Sequence, residues 1–291
     1  VPLQRPSKND ENSMFTTTQY AMDPVAALGL LKMDFLGLVN LTVLAKSRDL
    51  IAENQDITFN LIDIPLDDSN TYDLLARGET VGVFQMEGGG MTRNLKELKP
   101  TSLGDVAAMI ALYRPGPMEH IGTFIDAKHG RTAPSYPHPA LEEILEETYG
   151  VIVYQDQVLH LFRTFAGYSL GEADIVRKAM GKKIPAIMAQ EKEKFLSGGT
   201  KLGFDRELAE QIFTLIEPFA GYAFNKAHSI SYGLITYWTA YLKANYPAEY
   251  MVALRNAYMG NPERPVSAVV DCQRMNIPVK LPNINTGGTD F

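Results

Sequence analysis

From His138 onward apolar residues recur at three- and four-residue spacing, the period of a helix with one buried face. Pro139 suits a first helical position. Leu141, Ile144 and Leu145 form an apolar face opposite Glu142, Glu143, Glu146 and Glu147, and Gly150 ends the segment. Val151 to Tyr154 predicts a short buried strand or extended link, after which Val158, Leu161, Phe162 and Phe165 resume helical spacing. Asp205 is placed to cap a helix whose core face is Leu208, Ile212, Leu215, Ile216 and Phe219, closed by Gly221. Further helices are predicted from about Ser229 to Asn245, from Pro247 to Met259 and from about Pro265 to Met275, followed by a strand-like Pro278 to Leu281.

The first half is less regular. Val1 to Thr18 reads as a polar, extended lead-in. Ala26 to Leu38 is apolar except for Lys32 and Asp34 and predicts a buried strand, with a turn of helix as the alternative. Leu41 to Ala52 predicts a helix. Thr80 to Gln85 predicts a short strand broken by Gly88, Gly89 and Gly90. The expected fold class is therefore mainly α with a few short strands.

Composition narrows the function classes. A chain of 291 residues that is 45% hydrophobic can bury a sizeable core. Its net charge of −7 excludes a protein that coats nucleic acid over its whole surface, so any such contact must be a local basic patch. The single cysteine, Cys272, excludes a disulfide scaffold and a cysteine-rich zinc site, and fits a reducing cytoplasm. No stretch is long and apolar enough to predict a membrane span. The start at Val1 rather than Met suggests processing or trimming.

Four segments could carry chemistry. Arg177, Lys178, Lys182 and Lys183 lie near a predicted helix end around Gly181, where cations on a turn could close on a triphosphate; the plainer reading is a solvated face. Asn225, Lys226, His228 and Ser229 converge where a helix begins, a place that suits phosphate, or equally ordinary capping. In Lys32-Met33-Asp34, strand alternation puts Lys32 and Asp34 on one side, where the carboxylate could hold Mg²⁺; a buried ion pair is the alternative. In Tyr113-Arg114-Pro115-Gly116-Pro117 a rigid turn fixes where Arg114 points. His120, His129, His138 and His160 read as structural or surface residues, and Tyr232 as a ring that packs or sits near a base. Walker-type phosphate loops, nucleophile elbows and His-Glu-x-x-His motifs are absent.

Taken together, these runs resemble the bacterial C-family replicative DNA polymerases, the family of the DNA polymerase III alpha subunits. The runs are Lys32 to Leu38, Val83 to Glu87, Leu112 to Met118, Thr148 to Gln157, Arg177 to Lys183, Phe224 to Ser229, Tyr246 to Tyr250 and Pro282 to Asn285. The resemblance implies a fingers domain with a partial palm. Residues 1–56 would be a palm remnant, 57–261 the helical fingers and 262–291 the start of the following domain on the clamp-binding side. It implies phosphoryl transfer from an incoming deoxynucleoside triphosphate (dNTP) to a primer 3′-hydroxyl, with two Mg²⁺ ions held by palm aspartates.

By resemblance Asp34 is one of those aspartates and Lys32 neutralises phosphate charge beside it. Arg177, Lys178, Lys182, Lys183, Asn225, Lys226, His228 and Arg114 would line the nucleotide face. Primer–template DNA and other replisome subunits, including the sliding clamp, would be partners, with a cytoplasmic location. The family's paired Asp-x-Asp is absent, and glycines follow Val83 to Glu87 where relatives commonly carry serine. The chain is expected to be an inactive middle slice of a longer protein. A non-catalytic helical phosphate-binding module and a helical interaction scaffold are the alternatives.

Overall fold

Helices dominate the computed structural model, which describes residues 1–5, 16–134, 136–181, 185–258, 264–280 and 283. The chain divides into two units, residues 1–38 and residues 39–291. In the first unit, β1 (Leu3–Gln4) pairs antiparallel with β2 (Thr17–Thr18), and α1 spans Met22–Ala27. The buried strand expected over 26–38 does not form. Its first residues end α1, and the rest has no regular structure, with Leu31, Phe35 and Leu36 being 84%, 90% and 87% exposed. An apolar run becomes a buried strand only where a sheet receives it, and among the described residues the only sheet is the two-residue ribbon β1–β2.

The second unit holds three apolar cores. The first joins α3 (Ser69–Arg77), α4 (Gly89–Leu98), α5 (Leu103–Leu112), α6 (Ile121–Lys128) and the long α12 (Lys226–Asn245), through Leu75, Leu95, Met109, Phe124 and Tyr237. The second joins α7 (Ala140–Leu145), α8 (Gln155–Ala166), α9 (Leu170–Gly181), α10 (Pro185–Lys201) and α11 (Arg206–Ile216), through Leu141, Phe162, Phe195 and Phe213. The third joins α2 (Val39–Gln55), α13 (Pro247–Ala257) and α14 (Arg264–Arg274) to Leu242 of α12. The expected boundaries at 56 and 262 thus separate helices that share this third core.

Local chemistry sets the helix ends. Asp68 caps α3 by accepting from the Thr71 amide at 2.8 Å. Ser102 caps α5, and the buried Asp105 accepts from the Thr101 amide, the Lys128 ammonium and the Tyr149 hydroxyl. Burial, with the Asp105 charge beside it, pushes the Tyr149 hydroxyl up to about 12. Asp205 precedes α11 in extended backbone without a side-chain cap, and the buried face of α11 is Ala209, Ile212, Phe213 and Ile216. The face is rotated from the expected one, leaving Leu208, Leu215 and Phe219 partly buried at its edge. Residues 277–280 form no strand, and Leu281 lies outside the described residues.

The expected strand over Thr80–Gln85 is instead a pair of turns, Val83 N to Thr80 O and Met86 N to Val83 O, and Gly89 and Gly90 already belong to α4. Side chains replace the sheet partners this loop lacks. Thr239 accepts from the Phe84 amide and Thr236 donates to its carbonyl. Lys243 donates to the carbonyls of Glu79 and Val81, Tyr250 donates to that of Gly82, and Glu87 accepts from the Gly82 amide. Buried backbone groups must find partners, and here distant helices supply them.

Candidate functional site

Residues 151–154 run as a buried extended link between the first two cores. Gln157 folds back onto it, accepting from the amides of Val153 and Tyr154 at 2.8 and 2.9 Å. Phe224 then pairs with the link: its amide donates to Val153 O at 2.9 Å, and its carbonyl accepts from Gln155 N at 2.8 Å. The residue before the α12 cap is therefore pinned, and α12 starts from a fixed point. Asn225 caps it, accepting from His228 N at 3.0 Å, and the buried Ser229 ties it to α5 through Ala107 O.

Two cationic candidates stand at this helix start. Lys226 is half-exposed and bound by both oxygens of Glu147, at 2.6 and 2.8 Å, with its ammonium 5.6 Å from the centre of the Tyr154 ring. Burial raises the Tyr154 hydroxyl above its ordinary value, so Tyr154 stays neutral beside it. His228 is exposed, with its ring 5.6 Å from Phe224 and 4.1 Å from Tyr232. Phe84 continues this line, 5.3 Å from Tyr232. An N-terminus carrying free N–H groups, a lysine and a histidine is chemically suited to an anion.

Arg114 belongs to the same region in a different role. Its Nε donates to Ala111 O at 2.7 Å, its Nη2 donates to Tyr222 O, and its guanidinium lies 4.7 Å over the Phe224 ring. Burial lowers its pKa from the ordinary value. Gly116, at φ 96°, lets Tyr222 approach the turn, where an added Cβ would stand 3.1 Å from its ring. The rigid turn thus aims Arg114 at the segment leading into α12.

The cations of α9 are not on a turn. Arg177 and Lys178 sit in its last turns, and both pair with Asp174, at 2.9 and 2.6 Å. Their hydrogen bonds lower the Asp174 carboxyl below its ordinary value. Lys182 and Lys183 lie outside the described residues. In the first unit, Lys32 and Asp34 pair at 3.0 Å with both side chains about 60% exposed, so this pair is not buried. One carboxylate already matched to a lysine is too small a donor set for Mg²⁺, which takes about six oxygens. Among the described residues no three His, Cys, Asp or Glu side chains gather as a metal site.

Periodicity and motifs do not single out Glu147 or Phe84 as members of this region. Glu147 reads as one of four acids on a solvated helix face, and only the three-dimensional pairing singles it out. Three other histidines make structural contacts: His138 accepts from the Ala140 amide, His129 meets Glu97 O, and the His120 ring lies 4.6 Å from Phe219, while His160 is exposed. Among the described residues no helix is long and apolar enough to cross a membrane.

The family model for the bacterial DNA polymerase III alpha subunit finger domain matches residues 40–203. Over its whole length the chain is 46% identical to the DNA polymerase III subunit alpha of Thermus aquaticus, covering 24% of that protein. It is 47% identical to the same subunit of Saccharopolyspora erythraea, over 97% of this chain and 24% of the relative. For Escherichia coli the identity is 44%, over 96% of this chain and 25% of the relative. The chain spans about a quarter of the length of these relatives.

Proposed function

The chain belongs to the bacterial DNA polymerase III alpha subunit family, and on that premise we propose that it is the nucleotide-gripping part of a replicative DNA-directed DNA polymerase. It binds the incoming dNTP and holds it for phosphoryl transfer to a primer 3′-hydroxyl. The observation that carries this reading is the start of α12, where Asn225, Lys226 and His228 surround a helix N-terminus pinned by Phe224 and Arg114. Lys226 and His228 take phosphate oxygens, and Arg114 positions the segment before them. Arg177 and Lys178, with Lys182 and Lys183, supply further positive charge. Functionally, residues 1–56 act as palm, 57–261 as fingers and 262–291 as the start of the following domain.

Asp34 would supply one carboxylate toward a Mg²⁺ site that needs further oxygen ligands, with Lys32 balancing charge beside it; bound Mg²⁺ would supply Lewis-acid chemistry for phosphoryl transfer. Primer–template DNA and replisome subunits such as the sliding clamp are the partners of the whole protein, in the cytoplasm. Alone, the chain binds nucleotide weakly. Three charged hydrogen bonds of roughly 1.5–3 kcal/mol each give on the order of 5–9 kcal/mol before ordering costs, so roughly millimolar to micromolar affinity.

Calorimetric titration of dNTP into the chain tests the binding. Saturation in that range, weakened by Lys226→Ala, supports the reading, and no binding at millimolar nucleotide overturns it. Primer extension by the isolated chain on a primed template would overturn its expected inactivity.

A further inference from the structure

A groove of about 390 Å³ opens on the second core between α7 and α11, and none of its lining residues belongs to the α12 start. Leu141 and Leu145 of α7, Leu215 of α11 and the Tyr136 ring make it mainly apolar, and the exposed Gln211 and Thr214 of α11 keep it open to solvent. Gly150 follows α7 at φ 85°, where an added Cβ would stand 3.1 Å from Pro134 and 3.6 Å from the Tyr136 ring. Glycine there lets Tyr136 close in on the groove. A hollow of this size takes a few side chains rather than a folded surface.

The charge around the groove is of one sign. Burial raises the Tyr136 hydroxyl above its ordinary value, and the exposed Glu142 and Glu146 are close enough to push it further the same way. Among the described residues Glu142, Glu143 and Glu146 pair with no cation, whereas Glu147 is taken by Lys226. α7 itself carries no lysine or arginine. The Gln211 side-chain amide makes no hydrogen bond among the described residues either, so a donor and an acceptor stand open in the groove. Apolar lining, unmatched carboxylates and a spare amide together fit a ligand that joins an apolar group, a positive charge and a peptide backbone. A second copy of this chain, at net charge −7, would be repelled.

We infer that the α7–α11 groove docks a basic peptide segment of a partner protein. The segment seats a leucine-like side chain against Leu141, Leu145 and Leu215 and sets lysine or arginine against Glu142 and Glu146. Gln211 hydrogen-bonds its backbone. The groove needs no nucleotide, so its occupancy is independent of the α12 start.

The test is a fluorescence-anisotropy titration of the 291-residue chain with three short fluorescein-labelled peptides. One mixes leucine and lysine, one has glutamate in place of lysine, and one has serine in place of leucine. At about 0.15 M salt, where charges beyond about 8 Å are screened, the leucine–lysine peptide should bind roughly ten-fold more tightly than either other. Glu142→Lys combined with Glu146→Lys should weaken it roughly ten-fold, more so at low salt. Thr214→Trp fills the groove without changing charge and should weaken it as much. Glu143→Lys, the same reversal at an acid that does not bear on Tyr136, should change it less than about two-fold. Melting temperatures of all variants separate lost binding from lost fold.

No binding of the leucine–lysine peptide by wild type would overturn the site. Equal binding of the serine–lysine peptide, or an equal loss in Glu143→Lys, would show attraction by charge alone and overturn the groove. Sedimentation showing dimers that Thr214→Trp abolishes would make a second copy the occupant and overturn the partner.

Discussion

Lys243 and Asp271 form a buried ion pair, Nζ to Oδ2 at 2.7 Å, with side chains 0% and 5% exposed. It joins α12 to α14, and the same ammonium donates to the carbonyls of Glu79 and Val81. Burial lowers the Lys243 pKa from its ordinary value, and the hydrogen bond and charge of Asp271 oppose that shift. Asp271→Ala strands that ammonium and also frees Arg274, which pairs with both Asp271 and Glu79. The expected loss is about 3–5 kcal/mol, measured as a fall in the urea midpoint. Lys243→Met combined with Asp271→Leu should lose less than Asp271→Ala alone, because no unpaired charge is left inside.

The Asp68 cap should give the chain an acid-sensitive component. Burial pushes its carboxyl up, but hydrogen bonds from the Thr71 side chain, Asn245 and the Thr71 amide outweigh it, leaving the pKa below its ordinary 3.8. The folded state therefore binds this proton less readily than the unfolded chain. The stability it confers is present above about pH 4 and is lost as pH falls through the lower, folded value. Asp68→Ala should cost about 1 kcal/mol at pH 7 and make the denaturation midpoint less dependent on pH below about 4.

Glu147 neutralises the lysine proposed to receive phosphate, with both carboxylate oxygens within 2.8 Å of Lys226. A half-exposed pair of this kind is worth about 0.2–1 kcal/mol, so a triphosphate can displace it. Glu147→Gln should tighten dNTP binding about two- to five-fold at low salt, with the gain shrinking as salt rises. Titrations at two ionic strengths check it; no change at low salt would mean Lys226 is not a ligand.

Gly198 lies in α10 where an added Cβ would overlap the Ala166 carbonyl oxygen of α8. Glycine to alanine in a helix ordinarily gains about 1 kcal/mol. Here the obstacle is backbone, so overpacking wins and Gly198→Ala should cost about 1–3 kcal/mol, read as a lowered melting temperature. Gly122, also helical but with open space at its Cβ position, is the control expected to gain.

Much of the helical fold could be read from the chain because its signals are local. Asn225 as a cap, Pro247 as a stop, and the apolar spacing of Val158 to Phe165 all act within a turn or two of themselves. The loop at Thr80–Gln85 differs from a strand for the opposite reason: besides Glu87 and its own turn bonds, the partners of its backbone at Val81, Gly82 and Phe84 lie more than 150 residues away. The pairing of Arg177 and Lys178 with Asp174 is also legible, because spacings of three and four residues bring side chains together along a helix. At the start of α12 the cap and cations were visible, but their counter-ion and the aromatic line beside them come from separate stretches of chain.

The first and last described helices of the larger unit, α2 and α14, both rest on α13. A tug applied through the outer ends of α2 and α14 would therefore strain that one small core first. The strain would pass to α12 at its C-terminal end, through Leu242 in that core and through Lys243, which pairs with Asp271 of α14 and holds the loop before Phe84.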